Sequence, residues 1–325
     1  MRKIFHVSHV VFQLLLPLGL IVFLQSKAVA QEEMRASPLK PVRVFVLAGQ
    51  SNMEGAGVIG GKSKQRNAGQ GTLDFLVNRS DRRGKYQHTI DSDGNWRVRN
   101  DVWIWYLGRK GGLTVGYGAK QDRIGPEFEF GHTVGEFFQE PVLLIKIAWG
   151  GKSLAKDFRP PSSGGEVGAY YHEMLKHIAS VMENLSREFP ELENRKAVLS
   201  GFGWHQGWND GCSIEHTAEY RGNLINFIKD VRQDLDVANL PFVIANSGFA
   251  GWEQKVARRL DIIKAQSSAA KLPEFAGSVS CVETRDFYFE EDVSPSRQRY
   301  HWNGNAETYC LIGESMAKAM IQLVK

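Results

Sequence analysis

Four short segments carry the residue types that nucleophilic attack on a carbonyl requires. Gly49-Gln50-Ser51-Asn52-Met53 sets a serine in a glycine-bearing turn, and Trp149-Gly150-Gly151-Lys152-Ser153 offers unhindered glycine N–H groups. Trp204-His205-Gln206-Gly207-Trp208-Asn209-Asp210 carries a side-chain amide, and Tyr300-His301-Trp302-Asn303 a late histidine. A serine hydroxyl becomes a nucleophile once a histidine accepts its proton, so Ser51 is the expected nucleophile and His301 the expected base. The tetrahedral oxyanion then needs fixed donors. The expected set is the Ser51 N–H, a glycine N–H from Gly150-Gly151 and the Gln206 amide, with Asn52, His205 and Asp210 in support. Each has a blander reading alone: a serine after a strand commonly caps a helix, and a lone histidine is commonly a satisfied polar group. What sets these apart is that the segments fall at one edge of one predicted sheet.

That placement follows from the hydrophobic pattern. Short apolar, β-branched runs at 42–48, 142–148, 197–202, 242–245 and 278–282 predict five buried strands. Met174, Ile178, Val181, Met182, Leu185 and Phe189 mark one amphipathic helix, and Tyr220, Leu224, Phe227, Ile228, Val231 and Leu235 another. Further helices are expected over 130–139, 253–270 and 305–324. Strand then helix, repeated, predicts an α/β/α domain with a mainly five-stranded parallel sheet covered on both faces. Ligands bind beyond the carboxyl ends of such strands, where all four segments fall. Residues 58–125 break the rhythm, first Gly-, Lys-, Arg- and Gln-rich, then Trp-rich and strand-like through Trp96, Val98, Val102, Trp103, Ile104 and Trp105. They read as an insertion after strand one, at about 65 residues far longer than a usual βα loop. One domain over 31–325 with one long insertion is the expected organisation.

The 325 residues are 42% hydrophobic and 23% charged, an ordinary globular composition that excludes collagen, coiled coil and disordered tail. Residues 1–30 read as a secretory signal: Arg2 and Lys3, an apolar run over 10–24, then Ala28-Val29-Ala30 before Gln31. The run is short of the ~20 residues that span a bilayer and contains Gln13 and Pro17. Export to the periplasm or beyond is expected, without stable membrane insertion of the mature chain. Arg2, Lys3 and Lys27 account for most of the formal charge of +4, and the near-neutral remainder leaves no argument for nucleic acid. Cys212, Cys281 and Cys310 are too few and scattered for a disulfide framework or a zinc site, and Cys281 and Cys310 are expected as buried thiols. Gly55 to Gly60 fits GxGxxG literally, but no helix follows to bind phosphate. Gly61-Lys62-Ser63 lacks the first glycine of a P-loop, and His172-Glu173 with His177 lacks metalloprotease spacing. No metal or cofactor is expected.

GQSNM after the first strand, GPEF at 125–128, AWGGKSL, WHQG and the late histidine together resemble the SGNH-hydrolase superfamily, nearest its sialate O-acetylesterase-like branch, also grouped as carbohydrate esterase family six. The resemblance covers nearly all of the mature chain. It implies a three-layer, flavodoxin-like fold and an exported serine esterase that removes O-acetyl groups from a carbohydrate through an acetyl-serine intermediate. It carries the nucleophile onto Ser51, the oxyanion hole onto Ser51, Gly151 (or Gly150) and Gln206, and the base onto His301. Two departures stand out. Many members have an Asp three residues before the histidine, where this chain has Gln298, which leaves the triad acid open among Asp286, Asp292 and Glu291, a backbone carbonyl, or a bare Ser-His dyad. Many also have an acid after the HQG glycine, where this chain has Trp208. Trp208 and Trp302 are expected as pocket walls, Trp149 and Trp204 as structural. The alternative from another class is a non-catalytic carbohydrate-binding protein on the same scaffold, motivated by those two departures.

Overall fold

Val42, Val44, Val46 and Ala48 on one side of the first strand, and Phe45 and Leu47 on the other, are all fully buried, so this strand runs through the middle of the protein. The computed structural model describes residues 39–60, 66–79 and 83–325. The expected signal segment and Gly61-Lys62-Ser63 lie outside the described residues. In chain order the strands are β1 (Val42–Gly49), β2 (Gly57–Val58), β3 (Val102–Tyr106), β4 (Arg109–Gly112), β5 (Arg123–Ile124), β6 (Val142–Ala148), β7 (Ala197–His205), β8 (Phe242–Ala245) and β9 (Val279–Val282). Seven of them form one sheet in the order β4-β3-β6-β1-β7-β8-β9, and β2 and β5 pair separately. Every pairing in the large sheet is parallel except β3 with β4.

The even-numbered face of β1 packs on the helices Ala169–Glu183, Ile214–Asp234 and Ala257–Ala270. The odd-numbered face packs on Glu127–Phe137 and Ala306–Val324. This is a three-layer α/β/α sandwich, with the parallel strands buried on both faces.

The sheet has seven strands where five were expected, because the 58–125 stretch joins it. β3 pairs parallel with the edge of β6, and β4 turns back antiparallel. All of β3 is buried, so it lacks the alternation that would mark a half-exposed strand. The helix expected over 130–139 begins earlier, at Glu127; buried Glu127 and Glu129 in its first turn disguise its start. The helix expected to run to Phe189 breaks after Glu183 at Asn184. The cysteines are free thiols, Cys310 buried, Cys281 half-buried and Cys212 exposed. No helix among the described residues is long and apolar enough to cross a membrane.

A charged pair lies inside this apolar frame. Lys146, in the middle of β6, is fully buried, and its Nζ donates to Glu127 Oε2 at 2.6 Å and to the Glu54 and Tyr117 carbonyls at 2.7 Å each. The Tyr106 ring centroid lies 4.5 Å from the ammonium. Glu127, equally buried, takes the Gly125 N–H at 2.8 Å through its other oxygen. Burial pushes Lys146 down and Glu127 up, and each partner opposes the shift in the other. Removing one member of such a pair strands the other charge. Lys146→Met should therefore cost about 3–5 kcal/mol in urea unfolding, and Lys146→Met with Glu127→Gln should cost less than the two single changes added; strict additivity would refute the coupling.

Candidate active site

β1 and β7 approach so closely at their carboxyl ends that a Cβ on Gly49 would lie 2.2 Å from the His205 carbonyl oxygen. The first glycine of GQSNM is required by that contact. The chain then turns into the short helix Ser51–Glu54, and the Ser51 N–H, at its start, has no partner among the described residues. Gln50 Oε1 accepts the Gly207 and Asn209 N–H groups at 3.1 and 3.3 Å, tying this turn to the loop after β7. Asn52 is buried: its Nδ2 donates to the Tyr300 carbonyl at 3.0 Å and its Oδ1 accepts the Tyr309 hydroxyl at 3.0 Å. It clamps the histidine segment against the serine helix.

The turn after β6 lies directly over that helix. A Cβ on Gly150 would sit 3.1 Å from Glu54 Oε2 and 3.9 Å from Ser51 Cβ. The Gly150 N–H bonds the Glu54 carboxyl, whose pKa burial raises against the pull of Lys146. Gly151, at φ 69° and exposed, keeps its N–H unpartnered among the described residues. Glu54 was not singled out in the sequence; its i, i+3 spacing from Ser51 on one helix was the available signal.

Gln206 departs from expectation. Its Nε2 donates to the Lys152 carbonyl at 3.0 Å and to Asp210 Oδ2, and its Oε1 accepts the Tyr220 hydroxyl at 3.1 Å. Both amide hydrogens are taken, so Gln206 braces the loop and has none to offer an oxyanion. Asp210, fully buried, also accepts the Leu154 and Ala155 N–H groups at 2.9 Å each and anchors the loop after β6. On the same loop Asn209, half-buried, leaves its side-chain amide unpaired among the described residues. His205 is buried, and its Nδ1–H bonds the Ala245 carbonyl at 2.9 Å. Burial pushes its pKa down to about 4, which keeps it neutral and structural.

His301 sits in a strained turn. Trp302 and Asn303 follow it at φ 53° and 55°, left-handed conformations that cost about 1–3 kcal/mol each. The Gln298 carbonyl accepts the His301 and Asn303 N–H groups at 2.7 and 3.0 Å, and Asn303 Nδ2 bonds the Tyr288 hydroxyl and the Phe289 carbonyl at 3.0 Å each. The ring makes one hydrogen bond among the described residues, from Nδ1 to Gln298 Oε1 at 3.4 Å, and none to Ser51. Such contacts are often loose without substrate. None of the three candidate acids bonds the ring: Asp286 is exposed and accepts the Trp252 Nε1–H at 2.9 Å, Asp292 is exposed, and Glu291 faces Arg297 at 3.4 Å. The acceptor is the neutral amide that replaces the acid, and burial alone lowers the His301 pKa.

Trp302 is fully buried, centroid 6.5 Å from the His205 ring, and is therefore core and not a pocket wall. Trp208 is half-buried, and its ring lies 5.6 Å from that of Tyr300, itself 4.6 Å from the His301 ring. Trp204 packs in the core, and Trp149, half-buried, packs against it. Among the described residues no group of three or more His, Cys, Asp or Glu is placed to hold a metal ion.

Comparison with known proteins bears on this geometry. A family model described as carbohydrate esterase, sialic acid-specific acetylesterase matches residues 41–322. A probable carbohydrate esterase of Arabidopsis thaliana is 24% identical over 227 residues, spanning 68% of this chain and 75% of the relative. The X-ray structure of an Arabidopsis thaliana protein superposes with a TM-score of 0.55 at 18% identity, over 86% of this chain and 98% of that one. A carbohydrate acetylesterase from Xanthomonas citri superposes with a TM-score of 0.51 at 15% identity, over 85% of this chain and 55% of that one.

Two outcomes follow from the histidines. A His folded with a pKa of about 4 against an ordinary 6.5 contributes stability that is complete above pH 6.5 and lost as pH falls toward 4. The urea midpoint should fall across that window, and the fall should be shallower in His205→Asn; equal slopes would exclude the effect. Placing a carboxylate against His301 favours its charged form. Gln298→Asp should therefore move the acid limb of any His301-dependent pH–rate profile upward by about one pH unit, and an unmoved limb would show that residue 298 does not face the working imidazole.

Proposed function

The chain belongs to the sialic acid-specific acetylesterase family of carbohydrate esterases, and from that premise we propose that it is an exported serine esterase that removes O-acetyl groups from a carbohydrate. Ser51 attacks the acetyl carbonyl, and His301 takes the hydroxyl proton and returns it to the departing sugar oxygen. Water then attacks the acetyl-serine, with His301 again accepting a proton and returning it to Ser51. The single observation that carries the reading is the convergence of the Ser51 turn, the Gly150-Gly151 turn and the His301 turn, held by Glu54 and Asn52. The Ser51 and Gly151 N–H groups have no partner among the described residues, and we assign them to the oxyanion. With Gln206 committed elsewhere, the Asn209 amide is the side-chain donor we place beside them.

Gln298 gives the mechanism its particular character. A carboxylate partner fixes the imidazole tautomer and stabilises the imidazolium that forms. An amide oxygen does the first through a hydrogen bond from Nδ1–H, which leaves Nε2 as the base, and does the second only weakly. The lowered pKa keeps His301 in its basic form down to more acidic pH than free imidazole, so the acid limb of kcat/KM should lie below about 6.5.

The test is hydrolysis of 4-nitrophenyl acetate and of an O-acetylated sugar by the purified protein. Ser51→Ala and His301→Ala should each lower kcat on the order of 10⁴-fold or more, and Asn209→Ala should lower it about 10²-fold. Equal activity in wild type and Ser51→Ala would sink the assignment. Sugar binding without turnover would favour the non-catalytic alternative.

A further inference from the structure

The His301 ring has no carboxylate to steady it, and the loop that leads into it is gripped by the long insertion. Asn67 Nδ2 donates to the Glu291 carbonyl at 2.7 Å and to the Ser294 carbonyl at 2.9 Å. Arg66 donates through one terminal nitrogen to the Glu291 carbonyl and, at 3.2 Å, to that of Ser296. A Cβ on Gly71 would lie 2.8 Å from the Val293 carbonyl oxygen and 2.6 Å from Asn305 Nδ2, and the Gly71 carbonyl accepts the Ala306 N–H at 2.7 Å. The insertion therefore holds the histidine loop on both sides of His301, at 291–296 before it and at 305–306 after it.

This grip has a firm base and a short path to the ring. Gly71 leads into buried Thr72, which caps the helix Leu73–Asn78, and that helix packs through Leu73, Leu76 and Val77 with Phe128, Ala306 and Cys310. On the loop, the Ser296 N–H donates to the Asn303 carbonyl at 2.8 Å, and Ser296 Oγ accepts the Gln298 N–H at 3.2 Å. Gln298 in turn supplies the carbonyl that accepts the His301 N–H and the Oε1 that faces its Nδ1. Backbone strain follows the same path. Of the eight described residues other than glycine with positive φ, Asn67, Ala68, Trp302 and Asn303 make up half, two on each side of this contact. Such conformations persist where the surroundings over-determine them, and they gather at functional sites. Asparagine suits position 67 twice over: it tolerates the left-handed backbone, and its amide brings two hydrogens to two carbonyls.

We propose that Asn67, assisted by Arg66, is a positioning residue for the base: it fixes the loop that aims the His301 imidazole at Ser51, in place of the acid that position 298 lacks. The inference rests on the esterase reading for its chemistry, but the placing of the ring can be measured without it.

The experiment uses the full chain and two substitutions. Asn67→Gly keeps the left-handed backbone and removes only the amide. Asn67→Asp keeps the side-chain shape and replaces the donor by an acceptor facing two carbonyls. With 4-nitrophenyl acetate both should lower kcat roughly 10–100-fold while KM changes by less than about threefold, as a misaimed base requires. If backbone shape alone mattered, Asn67→Asp would keep the wild-type kcat. Wild-type kcat in either variant, or a loss confined to KM, would overturn the proposal. The ring itself is followed by NMR of ¹³C-labelled histidine, with its signal assigned by its absence in His301→Ala. Burial lowers the His301 pKa, so a loosened loop that admits water should raise it toward 6.5 in Asn67→Gly, with the His205 signal unchanged. An unmoved His301 pKa, or a His205 signal that changes with it as in general loss of structure, would overturn the proposal. If wild type hydrolyses no ester, the esterase reading fails, and the placing of the ring by Asn67 is judged by this titration alone.

Discussion

The position of the candidate nucleophile depends on a charge buried beneath it. Lys146 reaches out of β6 to three acceptors from separate parts of the chain: the Glu127 carboxylate of the GPEF segment, the Tyr117 carbonyl in the long insertion and the Glu54 carbonyl that closes the serine helix. Taking an ammonium out of water costs several kcal/mol, and only good geometry with every donor used offsets it. The lysine therefore fixes its acceptors as firmly as they fix it. The serine helix has four residues and too few internal hydrogen bonds to hold its own orientation; its far end is held by Lys146 and its near end by the contact between Gly49 and β7.

The same logic extends outward. Gln206 sits at the centre of a buried network that includes Asp210, Tyr220, Ser247 and Gln266, with the Gln206 carbonyl accepting from Ser247 Oγ at 3.0 Å and from Gln266 Nε2 at 2.6 Å. A fully satisfied polar network in a low-dielectric interior is rigid and specific. It gives the loop after β7 one conformation, and through Asp210 it sets the Gly150-Gly151 turn as well. The histidine turn is held differently, by strain at Trp302 and Asn303 locked in place by Asn52, Tyr309 and the buried indole. Among the described residues the Ser51 and Gly151 N–H groups and the Asn209 amide are left unpartnered, in contrast to the Gln206 amide, whose two hydrogens are both taken.

Electrostatically the site is spare. The His301 imidazole faces an amide, and no charged group contributes to its lowered pKa. Glu54 is the nearby acid, and it bonds the Gly150 N–H and not the histidine. The orienting job of a triad acid is thus separated from its charge.

The sequence by itself determined the sheet core, the chain order of its strands and the segments that would meet at their carboxyl ends, because side-chain periodicity and glycine-bearing turns are local properties. It also marked Ser51, Gly151 and His301, whose neighbours in sequence are their neighbours in the turn. Only the tertiary structure decided that the Trp103-Ile104-Trp105 run joins the sheet, that Trp302 is core, that Gln206 is saturated and that Gln298 replaces the acids Asp286 and Asp292 at the imidazole. Each of these depends on a partner distant in sequence or on which face of a turn a side chain takes. An amide has the same donors wherever it stands; whether they are free is settled by acceptors such as Lys152, more than fifty residues away from Gln206.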